Sequence, residues 1–137
     1  MKSITFLSMD DVLLLHTDTI NTDGGSHGVR DHGLLDAAVA MPRQQFGGEY
    51  LHEDMAAMAA AYLFHIAQNH PFIDGNKRAA VMSALAFLSV NDVELTMSPQ
   101  DLEMVTLQVA AGELSKDALT QWMWSQIGKK KRTSAPL

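Results

Sequence analysis

The sequence contains no cysteine, which excludes disulfide bonds, thiolate zinc sites and cysteine nucleophiles and fits a reducing compartment. It also lacks long apolar runs, since none approaches the ~20 residues that span a bilayer. Residues 1–7 have neither the length nor the continuous apolar stretch of a signal peptide. A length of 137 residues is typical of one domain. We therefore expect a soluble, cytoplasmic, single-domain protein that does not associate with membranes.

Positive charge is scarce and unevenly placed. Four of the ten basic residues form the run 129–132, which leaves six basic and sixteen acidic side chains, a formal charge of −10, in residues 1–128. Such an acidic body lacks the basic face that nucleic-acid phosphates require, so we expect no direct nucleic-acid binding. The sequence predicts a folded domain over residues 1–128 and a basic, solvated tail over residues 129–137. A nucleic-acid or membrane patch is the alternative interpretation of the tail.

Helix start signals and apolar spacing predict about six helices. Residues 53–68 are rich in alanine, methionine and leucine with almost no charge, and the segment from residue 75 to residue 91 has a similar apolar pattern. This composition predicts that the helix over residues 53–68 is buried on most sides and that the two helices form an apolar central pair. Serines in cap positions mark three of the other helix starts: Ser8, Ser98 and Ser115. The fold class is therefore all-α, a compact bundle of about six helices around a central apolar pair.

The second helix of the central pair begins with two cations. Over the 72 residues between Arg43 and Lys116, the only lysine or arginine side chains are Lys77 and Arg78. Free backbone N–H groups and the helix dipole already attract anions at a helix N-terminus, and these two side chains add full positive charges. Because cations disfavour that end of a helix, we expect a negative group to compensate them there.

A histidine and a carboxylate directly precede these cations. Taken singly, each residue has a structural interpretation: Asp74 as an N-cap, Arg78 as the partner of a carboxylate, and His70 as a helix-terminal histidine. The whole set lies within nine residues in the most apolar part of the chain. A histidine that titrates near neutral pH, a carboxylate and cations at a helix N-terminus are the parts of a phosphoryl- or nucleotidyl-transfer site.

Residues 70–78 read His-Pro-Phe-Ile-Asp-Gly-Asn-Lys-Arg. This run resembles the signature of the Fic/Doc family (filamentation induced by cAMP / death on curing), H-P-F-x-[D/E]-G-N-G-R-x-x-R. Residues 28–36, Gly-Val-Arg-Asp-His-Gly-Leu-Leu-Asp, resemble the family's upstream stretch G-x-R-D-x-G-L-L-[E/D]. The ending N-K-R, with Val81 where the second arginine stands, is closer to the Doc branch, the toxins of type II toxin–antitoxin modules. The resemblance implies the family's all-α fold.

The resemblance also implies roles for the motif's residues. In the Fic mechanism the histidine is the general base that takes a proton from the target hydroxyl, a role that falls on His70. The acidic residue binds the magnesium ion (Mg²⁺) that bridges the nucleotide phosphates, which implies this role for Asp74, because a hard cation prefers oxygen ligands. The nucleotide and its phosphates would be bound by the rest of the motif: Gly75, Asn76, Lys77 and Arg78.

Lys77 bears on which group is transferred. Adenylylating Fic proteins have glycine at this place, which lets the backbone approach the β- and γ-phosphates, whereas lysine restricts that approach and offers a point charge. In the Doc branch the nucleotide is understood to bind reversed and to present its γ-phosphate. The resemblance therefore implies a kinase that uses ATP to phosphorylate a threonine of elongation factor Tu and halts translation. Adenylyl transfer and a catalytically silent Fic-fold binding module are the alternatives.

The resemblance implies a docking flap and a partner protein as well. Family members carry a flap before the central helix that docks the target segment, at the place that Phe46, Gly47 and Gly48 occupy here; a plain surface loop is the alternative. Many Fic proteins carry an inhibitory helix with an [S/T]-x-x-x-E-[G/N] motif, and no segment of the 137-residue sequence matches this motif. We therefore expect a separate antitoxin that folds onto this chain and inhibits it.

The other histidines have structural interpretations. His65 lies on the predicted buried helix, five residues before His70, and we expect a core histidine whose hydrogen bonds are satisfied. The remaining four show no metal-ligand spacing with one another, and we assign no metal site to them: His16, His27, His32 and His52.

Overall fold

The computed structural model describes residues 3–94 and 96–128. The predicted tail, residues 129–137, lies outside the described residues. Six α-helices are present in the described part: α1 (Met9–Asp23), α2 (His32–Ala40), α3 (Met55–Asn69), α4 (Asn76–Val90), α5 (Pro99–Ala110) and α6 (Lys116–Met123). Shorter elements are a 3₁₀ turn (Met41–Arg43), a hairpin of β1 (Gln45–Phe46) and β2 (Glu49–Tyr50), and a π-helical turn (Trp124–Gly128). The predicted all-α fold is confirmed.

Side-chain caps explain where most of these helices begin. Ser8 forms a complete capping box with Asp11, and Ser98 and Ser115 each accept a hydrogen bond from a backbone N–H of the first turn of their helices. Each such cap contributes about 1 kcal/mol to the free energy of unfolding. The three helix starts that the serines predict are therefore confirmed.

Helix α3 is the centre of the molecule and contacts α2, α4, α5 and α6. Ten of its fifteen residues are buried, six of them alanines, which let the neighbouring helices approach closely. The phenol of Tyr62 is fully buried on α3 and accepts a hydrogen bond of 2.8 Å from the backbone N–H of Leu7. Burial raises the pKa of Tyr62 to about 12. The predicted central pair of apolar helices, α3 and α4, is thus confirmed.

Within residues 3–94 and 96–128, no helix has the length and apolar character to cross a membrane.

One core histidine differs from its prediction. The ring nitrogen Nε2 of His65 is buried and makes no hydrogen bond to any residue that the structure describes. The prediction that the hydrogen bonds of His65 are satisfied is therefore wrong for this atom. Burial, with smaller contributions from the charges of Lys116 and His52, lowers the pKa of His65 to about 4. Burial and the charge of Lys116 also lower the pKa of His52.

We predict that acidification destabilises the fold through His65. Because the ring titrates near pH 6.5 in an unfolded chain and near 4 in the folded chain, the unfolded state binds more protons between these values. The free energy of unfolding is therefore highest above about pH 6.5 and falls as the pH decreases toward about 4. Urea unfolding at pH 7.5 and pH 5 measures this loss. His65→Leu should reduce it, and His32→Leu, at an exposed position of α2, is the matched control. An equal loss in wild type and His65→Leu would contradict the prediction.

Candidate active site

The predicted catalytic histidine stands at the end of α3. His70 is the C-cap residue and adopts a left-handed backbone conformation with φ 47° and ψ 55°. Two residues later, the ring of Phe72 is buried with 1% exposure and anchors the chain in the core. His70 itself is exposed. The change of direction at the helix end therefore separates a buried anchor from a solvent-facing imidazole.

The two sequence segments that carry the family resemblance lie side by side. Residues 28–31 run antiparallel to residues 71–73, with a β-bridge between Val29 and Phe72. The carbonyl of Pro71 accepts two backbone N–H groups from the upstream segment, at 2.7 and 3.1 Å. The upstream stretch therefore supports the loop that carries His70, although forty residues separate the two in sequence.

Arg30 holds the end of α3 in place. Its Nε donates to the carbonyl of His70 at 2.7 Å, and its Nη2 donates to the carbonyl of Asn69 at 2.9 Å. The last carbonyls of a helix lack intrahelical partners, and a cation there is also favoured by the helix dipole. Sequence reasoning assigned no role to this side chain. Its place in the upstream stretch was the only signal that pointed to it.

The carboxylate of Asp74 connects the motif to the loop after α1. Oδ1 accepts the N–H of Gly75 at 2.9 Å, and Oδ2 accepts the N–H of Ser26 at 3.1 Å. A Cβ atom at Gly25 would lie 2.7 Å from this Oδ2, so glycine is required for the close approach. The N-cap of α4 is Gly75, in the left-handed conformation and without a side-chain cap. The interpretation of Asp74 as the N-cap is therefore wrong.

Asn76 braces the turn between the two central helices. Its Oδ1 accepts the N–H of Phe72 at 2.8 Å, and its Nδ2 donates to the carbonyl of the same residue at 3.0 Å. This pairing uses the oxygen and one N–H of the amide to hold the turn, so we expect Asn76 to offer an anion mainly its backbone N–H. The first N–H groups of a helix have no intrahelical acceptor, and they remain the natural donors to a bound phosphate.

His16, on α1, contacts two residues of the motif, Phe72 and Asp74. This role was not predicted from the sequence. Its Nε2 donates to the backbone carbonyl of Asp74 at 2.7 Å, across 58 residues of sequence. The ring is 3% exposed and stacks on Phe72 with a centroid distance of 3.7 Å and an angle of 5°. One side chain therefore holds both the anchor of the loop and the residue that carries the carboxylate. No local pattern around His16 indicates this long-range contact.

A cavity of about 350 Å³ opens at the start of α4. Its walls are the C-terminal end of α1, the first turns of α4 and one face of α5. Five consecutive motif residues, 74–78, contribute to the lining, and so does the buried Val81, which stands where the family has its second arginine. The other lining residues are Thr19, Ile20, Asp23, Gly24, Glu103, Thr106 and Leu107. His70 is not among them.

The guanidinium of Arg78 already faces negative charge in this cavity. Its Nη1 lies 3.0 Å from Oδ2 of Asp23, and its Nη2 lies 3.9 Å from Oε2 of Glu103. The expectation of a negative group at the cationic helix start is confirmed, since two carboxylates of the chain occupy that place. Both come from other helices, α1 and α5, which sequence reasoning did not bring to the site.

The candidate docking segment forms the β1–β2 hairpin. Phe46 is 82% exposed, and Gly47 and Gly48 make the turn between the strands. The hairpin is attached to the domain through Tyr50, whose ring lies 5.5 Å from the ring of Phe6. None of these residues lines the cavity. The hairpin thus presents a large apolar side chain to solvent and takes no part in the cavity lining.

The residues at the cavity fit a nucleotide with its magnesium ion. Among the described residues, no three histidine or acidic side chains are placed to hold a metal alone. Mg²⁺ commonly binds one or two carboxylates together with substrate phosphates and water. Each oxygen of Asp74 accepts one N–H in the fold and keeps a further lone pair. The carboxylate is exposed at the cavity wall, next to cations and a helix N-terminus that suit phosphates.

Comparison with known proteins agrees with this geometry. The model of the Fic/DOC family matches residues 6–88, a span that contains both the upstream stretch and the motif. The chain is 42% identical to Toxin Doc of Mycolicibacterium smegmatis over 90 residues, which cover 66% of this chain and 67% of the relative. It is 35% identical to Protein kinase doc of Escherichia phage P1 over 109 residues, 80% of this chain and 85% of the relative. The chain belongs to the Fic/Doc family.

Proposed function

We propose that this protein is a Doc-type toxin that transfers the γ-phosphate of ATP to a hydroxyl of a protein, with a threonine of elongation factor Tu as the target. The observation that carries the proposal is the turn between α3 and α4, which has the exposed His70 at its start and places Asp74 and the cationic start of α4 at the cavity wall. The family relationship and the name of the phage relative, Protein kinase doc, support it.

His70 acts as the general base in this proposal. The imidazole accepts the proton of the target hydroxyl as that oxygen bonds to the γ-phosphorus, while the bond between the γ-phosphorus and the bridging oxygen breaks to leave ADP. Arg30 holds the carbonyl of His70 and so fixes the backbone that carries the exposed imidazole, which a protein target can reach. The exposed hairpin that carries Phe46 is the proposed docking element for the target segment.

Asp74 and Arg78 bind the phosphates in this proposal. Asp74 would hold Mg²⁺ together with the phosphate oxygens, and the ion would neutralise charge that develops during transfer. Arg78 offers a planar guanidinium that suits a phosphate, and the backbone N–H of Asn76 at the start of α4 adds a donor.

Lys77 and Val81 support transfer of the γ-phosphate over transfer of the adenylyl group. Lys77 is exposed at the first turn of α4 and lines the cavity, so its side chain obstructs a close approach of phosphates to the backbone at that point. Val81 makes the cavity wall apolar where the family has its second arginine, so no cation at that place holds a phosphate. Both residues favour the reversed orientation of the nucleotide, which places the γ-phosphate toward His70.

Label transfer tests the proposed reaction directly. Purified elongation factor Tu is incubated with the protein and Mg-ATP that is labelled on either the γ- or the α-phosphate. The expected result is γ-label on the target and no α-label, with mass spectrometry to identify the modified residue. Label from the α-phosphate would instead identify the protein as an adenylyltransferase. The absence of label from both positions would favour the catalytically silent binding module. Lys77→Gly is expected to lower γ-transfer.

The proposal includes an antitoxin that inhibits the protein in trans. Both relatives are named Doc, and the name of the relative from Mycolicibacterium smegmatis describes it as a toxin. A partner that binds the native state raises its melting temperature with concentration. We expect the product of a neighbouring reading frame to raise the melting temperature of this protein and to relieve growth arrest. A product that does neither would count against this part of the proposal.

We predict that His16→Phe lowers the transfer rate at least about tenfold, because positioning of catalytic groups within an ångström affects rates by this order or more. Phenylalanine can keep the stacking on Phe72 but cannot donate to the carbonyl of Asp74. His16→Gln retains a donor and is expected to recover part of the rate. The measurement is kcat for γ-label transfer, with circular dichroism to check the fold. Equal rates in His16→Phe and wild type would contradict the prediction.

A further inference from the structure

The carboxylate of Asp23 pairs with Arg78, the side chain that we propose to bind a phosphate. The two side chains are 3.0 Å apart, and both are partly exposed, at 41% and 46%. Glu103 lies farther away, at 3.9 Å, and is 52% exposed. All three residues line the cavity. Among the described residues, the carboxylate closest to the guanidinium is therefore that of Asp23.

The position of Asp23 is unfavourable for the helix that carries it. It is the last residue of α1, where the helix dipole is negative, and the last turn of α1 contains no basic residue. The attraction to Arg78 offsets this cost. Three residues later, the N–H of Ser26 binds the carboxylate of Asp74 at 3.1 Å. The segment from residue 23 to residue 26 thus contacts both side chains that we propose to bind the nucleotide.

We propose that Asp23 is a competing ligand of Arg78 that sets the affinity of the site for nucleotide phosphates. The inference rests on the proposed function, in which Arg78 binds a phosphate. When the phosphate binds, the guanidinium exchanges the carboxylate of Asp23 for phosphate oxygens. The exchange is feasible because partly exposed ion pairs are weak. After the exchange, the charge of Asp23 remains beside the phosphates and lowers their affinity further.

Two opposite results separate competition from positioning. If Asp23 competes, Asp23→Asn tightens binding, because the amide is neutral and releases the guanidinium. If Asp23 instead holds Arg78 in the geometry that phosphate needs, the same substitution weakens binding. Competition also predicts a lower KM for ATP with an unchanged kcat, since Asp23 acts on phosphate binding and has no part in proton transfer.

Calorimetric titration with ATP and with inorganic phosphate tests the inference. Asp23→Asn should tighten ATP binding about threefold to tenfold, the scale of an exposed ion pair plus one nearby charge. Asp18→Asn is the matched control, because it removes the same charge from an exposed position of α1 outside the cavity lining. It should change the affinity less than about twofold. Glu103→Gln should have an intermediate effect.

A double variant shows whether the effect passes through the guanidinium. In the Arg78→Ala background, Asp23→Asn should change the affinity no more than Asp18→Asn does. The inference is overturned if Asp23→Asn binds ATP no more tightly than Asp18→Asn does. It is also overturned if neither Asp23→Asn nor the wild-type protein binds ATP or phosphate.

Label transfer by the wild-type protein, measured in parallel, keeps the two proposals apart. Transfer without tighter binding in Asp23→Asn defeats only the role of Asp23. Tighter binding without any transfer defeats only the kinase.

Discussion

Replacement of His70 by alanine is expected to abolish transfer while the fold stays intact. Loss of a general base lowers rates by roughly a hundredfold to ten-thousandfold. The imidazole is exposed and contributes little to the core, and the two backbone hydrogen bonds at this residue, to Arg30 and Ile66, do not involve the ring. The measurement is γ-label transfer under single-turnover conditions, with the thermal unfolding midpoint as the check on structure.

His70→Asn is the matched variant for the backbone. Asparagine tolerates the left-handed conformation that His70 adopts, with φ 47°, better than alanine does. It removes the base and keeps the local geometry, so its activity should be as low as that of His70→Ala while its stability is closer to wild type. A variant that lacked the imidazole and kept the wild-type rate would refute the general-base assignment and reduce the family analogy to the fold.

Replacement of Asp74 by alanine is expected to remove both activity and its dependence on Mg²⁺. In the proposal, the carboxylate of Asp74 is the motif's ligand to the Mg²⁺ ion. Without this carboxylate, only phosphate oxygens and water remain as ligands to the ion. The substitution also removes the acceptor of the N–H groups of Gly75 and Ser26. Because the site is exposed, the expected loss in the free energy of unfolding is about 1 kcal/mol. It comes from the tie to the α1–α2 loop and not from a helix cap.

Asp74→Asn separates the two roles of this carboxylate. The amide keeps one oxygen that can accept a backbone N–H, but it lacks the negative charge that a hard cation prefers. We therefore expect Asp74→Asn to unfold at a urea concentration close to that of wild type and to transfer no label across a titration of Mg²⁺. Normal activity with normal dependence on Mg²⁺ in this variant would show that Asp74 is not the ligand.

The helices and their starts could be predicted because their signals are local. A serine and the N–H that it caps lie three residues apart, and Ser8, Ser98 and Ser115 all mark true helix starts. The cluster within residues 70–78 was found for the same reason, since its members are neighbours in sequence. Local signals also have limits. Aspartate is a residue type that favours the N-cap position, which suggested Asp74 for it. Gly75 takes that position instead, because the turn requires a residue in the left-handed conformation.

The partners of the motif could not be predicted, because they come from distant helices. Arg30, His16 and Asp23 lie between 39 and 58 residues from the residues that they contact at the motif. Arg30 is marked only by its place in the upstream stretch, and neither His16 nor Asp23 has a spacing that distinguishes it from an ordinary core or surface residue. Only the packing of α1 and the upstream segment against the start of α4 brings them to the site.

The sequence by itself determined the all-α class, the central helix pair, and the identity and order of the motif residues. These follow from apolar periodicity, caps and neighbouring chemical groups, which act over a few residues. The tertiary structure decided which groups those residues contact: a carbonyl of His70 held by Arg30, a loop held by His16, and an arginine held by Asp23. Such contacts depend on how buried helices pack, and packing brings together residues that no local interaction connects.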